Sequence, residues 1–147
     1  MKSVFMVIGF LTAIPAFAQT NDETAIRATV TRMFEGMSKA DSTGLKPLFA
    51  PGARLQTVQN KQGTVSVKED PIASFITSVG KAKAGALDER LSGMDVKIDD
   101  DLATVWTPYS FYYNGQRSHC GANAFTLVRI AGDWKIQNII DTRRQCK

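Results

Sequence analysis

The dipeptide Asn114-Gly115 constrains the fold of this chain more than any other short stretch of its sequence. Asn and Gly both tolerate positive φ, so the pair is typical of the two-residue turn of a β-hairpin. Runs rich in aromatic and β-branched residues precede and follow it, over residues 102–113 and 116–130. The sequence therefore predicts two long antiparallel strands, and the register of this hairpin decides which side chains share a face.

Two further strands are predicted beside this hairpin. Apolar and charged residues alternate over residues 94–98, which is typical of a half-buried strand. Gly132-Asp133 predicts a second tight turn, and a last strand begins at Trp134. The C-terminal half is therefore predicted to form a four-stranded antiparallel meander.

Three helices and one hairpin are predicted in the N-terminal half. Asn21 caps the first helix, in which apolar residues recur at helical spacing. Asp41 caps a short second helix, and Asp70-Pro71 begins the third. Strands at residues 55–59 and 64–67 lie between these two helices. The pattern indicates one α+β domain over residues 19–147, with helices packed on one face of a curved antiparallel sheet.

Residues 1–18 have the pattern of an export signal. Lys2 is followed by an apolar run over residues 4–14 and by the small-residue cleavage pattern Ala16-Phe17-Ala18. Cleavage after Ala18 predicts a mature protein that begins at Gln19, is periplasmic or secreted, and has no membrane attachment. An uncleaved membrane anchor is the alternative, although the apolar run is short for a bilayer.

The charge of the predicted mature chain argues against nucleic acid as a partner. Removal of Lys2 reduces the Lys and Arg count from 18 to 17, against 14 Asp and Glu. This excess is small and scattered along the chain, whereas nucleic-acid binding requires a basic stripe or patch.

The chain also resembles a known superfamily over nearly all of the predicted mature protein, and most specifically over residues 102–144. The segments VWTPYSFYYNGQRSHCGANAF (105–125) and FTLVRIAGDWKIQNIIDTRR (125–144) are similar to the nuclear transport factor 2-like superfamily, and the first to its lumazine-binding, SnoaL-like branch. The resemblance implies a cone-shaped α+β barrel with a pocket between sheet and helices. It implies no single activity, because the superfamily includes isomerases, dehydratases, cyclases, binding modules and assembly domains.

The register counted from the predicted turns assigns side chains to the two faces of the sheet. A three-residue loop at 99–101 and the Asn114-Gly115 turn place Ser110 opposite His119 and Trp106 opposite Asn123. The predicted inner face carries Met94, Val96, Ile98, Trp106, Ser110, Tyr112, His119, Asn123, Phe125, Leu127, Trp134, Ile136 and Ile140.

His119 and Cys120 are the most reactive residue types in the hairpin. They point to opposite faces of a regular strand, so they cannot form a Cys–His dyad. One His and two Cys also lack the paired spacings of zinc sites, and we expect neither a metal nor another cofactor. A bulge near residues 138–140 would set Cys146 opposite Cys120, which predicts a disulfide; free thiols are the alternative.

Polar groups among the aromatic residues of the predicted inner face indicate a small-molecule pocket. Ordinary core packing of the aromatic residues is the alternative. The predicted ligand is a small apolar or aromatic molecule. The predicted site comprises Trp106, Ser110, Tyr112, His119, Asn123 and Phe125, and also Asp141 and Arg143 if the bulge exists.

Two other functions remain open at this point. An isomerase, dehydratase or cyclase would use His119 as general acid or base, but Asp141 is predicted to lie too far along the strand to assist it. An interaction module would form a homodimer through Tyr109, Phe111 and Tyr113, which are predicted to face outward.

Overall fold

The computed structural model describes residues 16–147, and most of the predicted export signal lies outside these residues. The elements in chain order are helices α1 (Ala16–Lys39) and α2 (Ser42–Leu45), a 3-10 turn (Lys46–Leu48), strands β1 (Phe49–Lys61) and β2 (Thr64–Pro71), helix α3 (Ile72–Lys81), and strands β3 (Leu87–Leu91), β4 (Asp95–Asp99), β5 (Leu102–Tyr113), β6 (Gln116–Ile130) and β7 (Asp133–Thr142). None of the described helices has the length and apolar character needed to cross a membrane.

Helix α1 covers the centre of the sheet. Its predicted apolar stripe, which includes Ile26, Val30 and Met33, is buried in the core. The ring of Phe34 on the same helix contacts Phe125 of β6 edge-on, at 5.9 Å between centroids. The helix is described from Ala16, so Asn21 lies within it and is not its cap.

The two shorter helices differ from prediction only at their ends. Asp41 caps α2 as expected, since its side chain accepts a hydrogen bond from the Gly44 amide at 2.8 Å. Asp70 is a residue of β2 and does not cap α3, whose N-cap is Pro71. Strand β1 begins at Phe49, directly after the 3-10 turn that follows α2.

The sheet has seven strands and is mixed. Its hydrogen-bonded order is β2-β1-β7-β6-β5-β3, and β4 pairs with β5 beside β3. β1 runs parallel to β7, whereas all other pairs are antiparallel. The prediction of an α+β fold with helices against a curved sheet is confirmed. The sheet is open, with β2 at one edge, and it is mixed where the sequence predicted antiparallel strands, because β1 runs parallel to β7.

The turn between β4 and β5 is one residue shorter than predicted. Asp99 pairs directly with Leu102, and Asp100 takes a φ of 51° in the two-residue turn. This shift exchanges the side chains of β5 that point inward with those that point outward, relative to the prediction. Val105 is buried in the core, and Trp106 is 52% exposed on the opposite face.

The β5–β6 hairpin contains a bulge that the sequence analysis did not predict. Beyond the Asn114-Gly115 turn, Tyr112 pairs with Arg117, but the next partners are Phe111 and His119, so Ser118 is an extra residue in β6. The bulge reverses the alternation of β6 relative to β5. From His119 onward, the side chains of β6 therefore point to the faces that the sequence predicted. The side chains of β5 point to the faces opposite to those predicted. The predicted pairing of Ser110 with His119 is wrong, since Ser110 lies opposite Cys120.

β7 carries a bulge one residue before the predicted position. The partners change from Leu127–Ile136 to Thr126–Asn138, which makes Gln137 the extra residue. Ile136 and Ile139 are consequently both buried.

The predicted disulfide between Cys120 and Cys146 is present. Its register is not the predicted one, because Cys120 pairs through its backbone with Arg144 in both directions. Cys146 reaches Cys120 from two residues beyond this bridge. The bond therefore holds the C-terminal segment against the start of β6.

Candidate functional site

A cleft of about 450 Å³ lies between the concave face of the sheet and α3. Its apolar lining includes Met37, Phe75, Val79, Leu87, Phe111 and Tyr113. Its polar lining includes Lys81, Glu89, Tyr109, His119, Asp141 and Arg143. An outer recess of about 550 Å³ adjoins the cleft and shares Phe111, Tyr113, His119 and Arg143 with it. The recess is completed by Ser118, Arg144 and Gln145.

One wall of the cleft is aromatic. The pleat of β5 places Tyr109 and Phe111 on the inner face, two residues apart. The ring of His119 contacts both, at 5.8 Å from the Tyr109 centroid and 5.0 Å from that of Phe111. Tyr109 is almost fully buried, whereas Phe111 is only partly covered. A flat apolar molecule could therefore stack against Phe111 without rearrangement of the sheet.

Asp141 lies at the buried end of the cleft. The bulge at Gln137 turns this residue inward, and 7% of its surface is exposed. Its Oδ2 accepts a hydrogen bond from Arg143 Nε at 2.9 Å and lies 3.3 Å from the Tyr109 hydroxyl, whose single proton has a closer acceptor in the Thr142 carbonyl at 3.0 Å. Its Oδ1 is buried and has no hydrogen-bond partner within the described residues. This buried carboxylate oxygen therefore has unused capacity to accept a hydrogen bond.

Glu89 of β3 is the second carboxyl group of the cleft. Its Oε1 accepts a hydrogen bond from Asn123 Nδ2 at 2.7 Å, and the same amide lies 3.4 Å from the Thr107 hydroxyl. Burial raises the pKa of Glu89 from 4.5 to about 7; the Asn123 hydrogen bond opposes the rise, and the charge of Asp141 adds to it. Glu89 can therefore both accept and release a proton near neutral pH.

The pKa values of Tyr109 and His119 are also shifted. Burial, followed by the charges of Asp141 and Glu89, raises the pKa of Tyr109, so its hydroxyl remains a donor. Burial and the charge of Arg143 lower the pKa of His119. The Nδ1 atom of His119 lies 3.1 Å from the Ser118 hydroxyl. Within residues 16–147, no cluster of His, Cys, Asp and Glu could hold a metal ion.

The structure brings together half of the predicted site. His119, Asp141 and Arg143 line the cleft, and Asn123 supports Glu89 behind it. Phe125 is on the same face, but it is buried in the core against α1.

Three predicted site residues do not belong to this site. Trp106, Ser110 and Tyr112 lie on the opposite face of β5, because the turn after β4 is one residue shorter than expected. The expectation that Trp106 and His119 share one cavity is therefore wrong. The three aromatic residues expected to face outward and form a homodimer, Tyr109, Phe111 and Tyr113, instead line the cleft.

Glu89 was missed by the sequence analysis although the sequence contains a signal for it. In the segment Leu87-Asp88-Glu89-Arg90-Leu91, Glu89 is in phase with the two leucines. An acid on the same face of a strand as two apolar residues points into the interior. Burial of a carboxyl group there is unfavourable unless it is paired or hydrogen-bonded, so such an acid indicates a functional or structural role.

Comparisons with known proteins agree on the fold. A family model for the SnoaL-like domain matches residues 18–140. A solved NTF2-like protein of unknown function from Shewanella baltica OS155 is 18% identical, with a TM-score of 0.65 over 86% of this chain and 97% of that chain. A candidate dehydratase of the NTF2-like family from Streptomyces avermitilis is 14% identical, with a TM-score of 0.67 over 87% and 99%. An NTF2-like protein with a cystatin-like fold from Novosphingobium aromaticivorans is 14% identical, with a TM-score of 0.68 over 89% and 87%. No curated protein matches the chain.

Proposed function

The chain belongs to the SnoaL-like domain family, and from this premise we propose that it is an exported domain that binds a small planar or aromatic molecule in the cleft. The observation that carries the proposal is the combination, in one cleft, of the partly covered Phe111 ring with the polar groups of Glu89 and Arg143. A ligand with an apolar ring and a hydrogen-bonding group would suit such a lining, which is how small-molecule sites are generally built.

Export is proposed from two observations. Residues 1–18 have the charge, apolar run and cleavage pattern of an export signal. Cys120 and Cys146 form a disulfide, and such bonds persist mainly in oxidising compartments.

Fluorescence of N-phenyl-1-naphthylamine, a neutral aromatic probe, tests the binding proposal. The fluorescence of the probe should rise on addition of the protein and saturate at one site per chain. Ser78 of α3 lines the cleft and is exposed, so Ser78→Phe should fill the cavity and abolish the rise. Ser74→Phe is the matched control, because Ser74 is exposed on the same helix and is not among the residues that line the cleft. Equal binding by both variants would contradict the proposal.

A second candidate function is proton transfer, as in an isomerase or dehydratase. The observation that favours it is the pKa of Glu89, since a group that titrates near neutral pH is the most effective general acid or base. Glu89 suits this role better than His119, which lies where the cleft meets the outer recess.

Deuterium exchange separates the two functions. The molecule that co-purifies with the protein from its native host, identified by native mass spectrometry, would be incubated with the protein in D₂O. An enzyme should incorporate deuterium at carbon, and Glu89→Gln should slow this by about 100-fold while His119→Gln changes it little. The reverse order of effects would assign the role to His119. No incorporation by the wild-type protein would leave binding as the function.

A further inference from the structure

The outer recess differs from the cleft in the charge of its lining. Arg143 and Arg144 line the recess, and no Asp or Glu side chain is among its described lining residues. Both acids of the site, Glu89 and Asp141, lie on the cleft side. The recess that adjoins the cleft is therefore basic.

The guanidinium group of Arg143 has N–H donors that no described residue accepts. Its Nε atom donates to Asp141 at 2.9 Å, and one terminal nitrogen donates to the Thr57 hydroxyl at 3.3 Å. The other terminal nitrogen has no hydrogen-bond partner within residues 16–147, and the side chain is 54% exposed. A guanidinium group has five N–H donors, so a further acceptor can be bound without loss of these contacts.

The backbone of Arg144 is held by hydrogen bonds, and its side chain has no ion-pair partner within the described residues. Its amide and carbonyl both bond with Cys120, at 2.8 and 2.9 Å, and the Cys120–Cys146 disulfide closes the segment two residues later. Its guanidinium forms no ion pair with any carboxylate in the described part of the chain. Two arginines thus line one recess beside an aromatic cleft.

We propose that the outer recess holds the anionic group of the ligand, which is therefore an organic acid with a planar apolar body. The ring lies along Phe111 and the anion contacts Arg143 and Arg144, because arginine binds carboxylate, sulfonate and phosphate oxygens in a bidentate manner. Lys81 adds a third positive charge on the α3 side of the cleft. This inference rests on the proposed function and specifies the class of molecule that is bound.

Two fluorescent probes that differ by one charged group test the inference. The first, 8-anilinonaphthalene-1-sulfonate, has the same rings as neutral N-phenyl-1-naphthylamine and carries an added sulfonate. The wild-type protein should bind the sulfonate at least about tenfold more tightly at moderate salt, as expected for a charge-assisted contact. Arg144→Gln should weaken its binding about fivefold and leave the neutral probe unaffected, and Arg144→Lys should recover part of the loss.

Arg117→Gln is the matched control. Arg117 is an exposed arginine near the start of β6, but it does not line the recess. An equal effect of Arg117→Gln and Arg144→Gln would mean that general surface charge attracts the sulfonate, which overturns the inference. Equal affinity for the two probes would overturn it as well, while binding in the cleft itself would stand. If Ser78→Phe left the binding of both probes unchanged, the proposed function would fail instead.

Discussion

Replacing Glu89 by Gln should change how the stability of the protein depends on pH. Burial holds the pKa of Glu89 at about 7 in the folded protein, against an ordinary value of 4.5. Between these two values the folded protein keeps a proton that the unfolded chain has lost, so the free energy of unfolding decreases as pH rises. The decrease ends above pH 7, where the group is ionised in both states. Gln cannot ionise, so the free energy of unfolding of the variant should lack this decrease with rising pH.

The size of the effect follows from the two pKa values. A rise from 4.5 to about 7 corresponds to roughly 3 kcal/mol, since each unit contributes about 1.4 kcal/mol. Water at the open side of the cleft screens the carboxylate, and we therefore expect about 2 kcal/mol. Gln keeps the oxygen that accepts the hydrogen bond from Asn123, which makes it a close replacement for the neutral acid.

Urea unfolding at pH 4 and pH 8, followed by circular dichroism, measures the effect. The free energy of unfolding of Glu89→Gln, relative to that of the wild type, should increase by about 2 kcal/mol between these pH values. Glu69→Gln is the control, because the hydrogen bond from Arg54 lowers the pKa of Glu69 and the relative stability should change in the opposite direction. A relative stability of Glu89→Gln that is constant within about 0.5 kcal/mol would refute the reasoning.

Three further predictions concern the fold and export. Replacing both Cys120 and Cys146 by Ser should lower the free energy of unfolding by about 3 kcal/mol in urea titrations, since the bond closes a separation of 26 residues; a loss below about 1 kcal/mol would contradict this. Trp106→Ala should cost less than about 1 kcal/mol because its side chain is largely exposed, whereas buried Phe125→Ala should cost about 3–5 kcal/mol; equal costs would contradict the register of β5. The intact mass of the exported protein should correspond to a chain that begins at Gln19, and a product that retains Met1 would contradict cleavage.

The sequence predicts this fold well where a pattern repeats over many residues. The apolar stripe of α1 extends over several turns, so an error of a few residues at the start of the helix leaves Ile26 and Val30 on the buried face. The Asn114-Gly115 turn specifies its own hairpin, because both residues adopt positive φ as expected.

The site is harder to predict because one residue more or fewer in a turn or strand changes which side chains point into the cleft. The turn after β4 has one residue fewer than predicted, which moves Trp106 from the inner to the outer face. Asp100 adopts a φ of 51° in this turn, and hydrophobic periodicity does not predict the backbone conformation of a turn residue. The extra residue Ser118 is equally invisible in the pattern of β6. The parallel pairing of β1 with β7 joins segments about 80 residues apart, and no local signal specifies it.

The position of β7 in the sheet determines which truncated chains can complete the fold. β7 is the last of the described strands in chain order, yet it lies between β1 and β6 and forms hydrogen bonds with both. Without β7, the β1–β2 hairpin has no strand to connect it to the β5–β6 hairpin, and α1 lacks part of the surface it covers. A chain that stops before β7 should therefore leave the sheet in two separate parts, each with an unpaired strand edge that can associate with other chains.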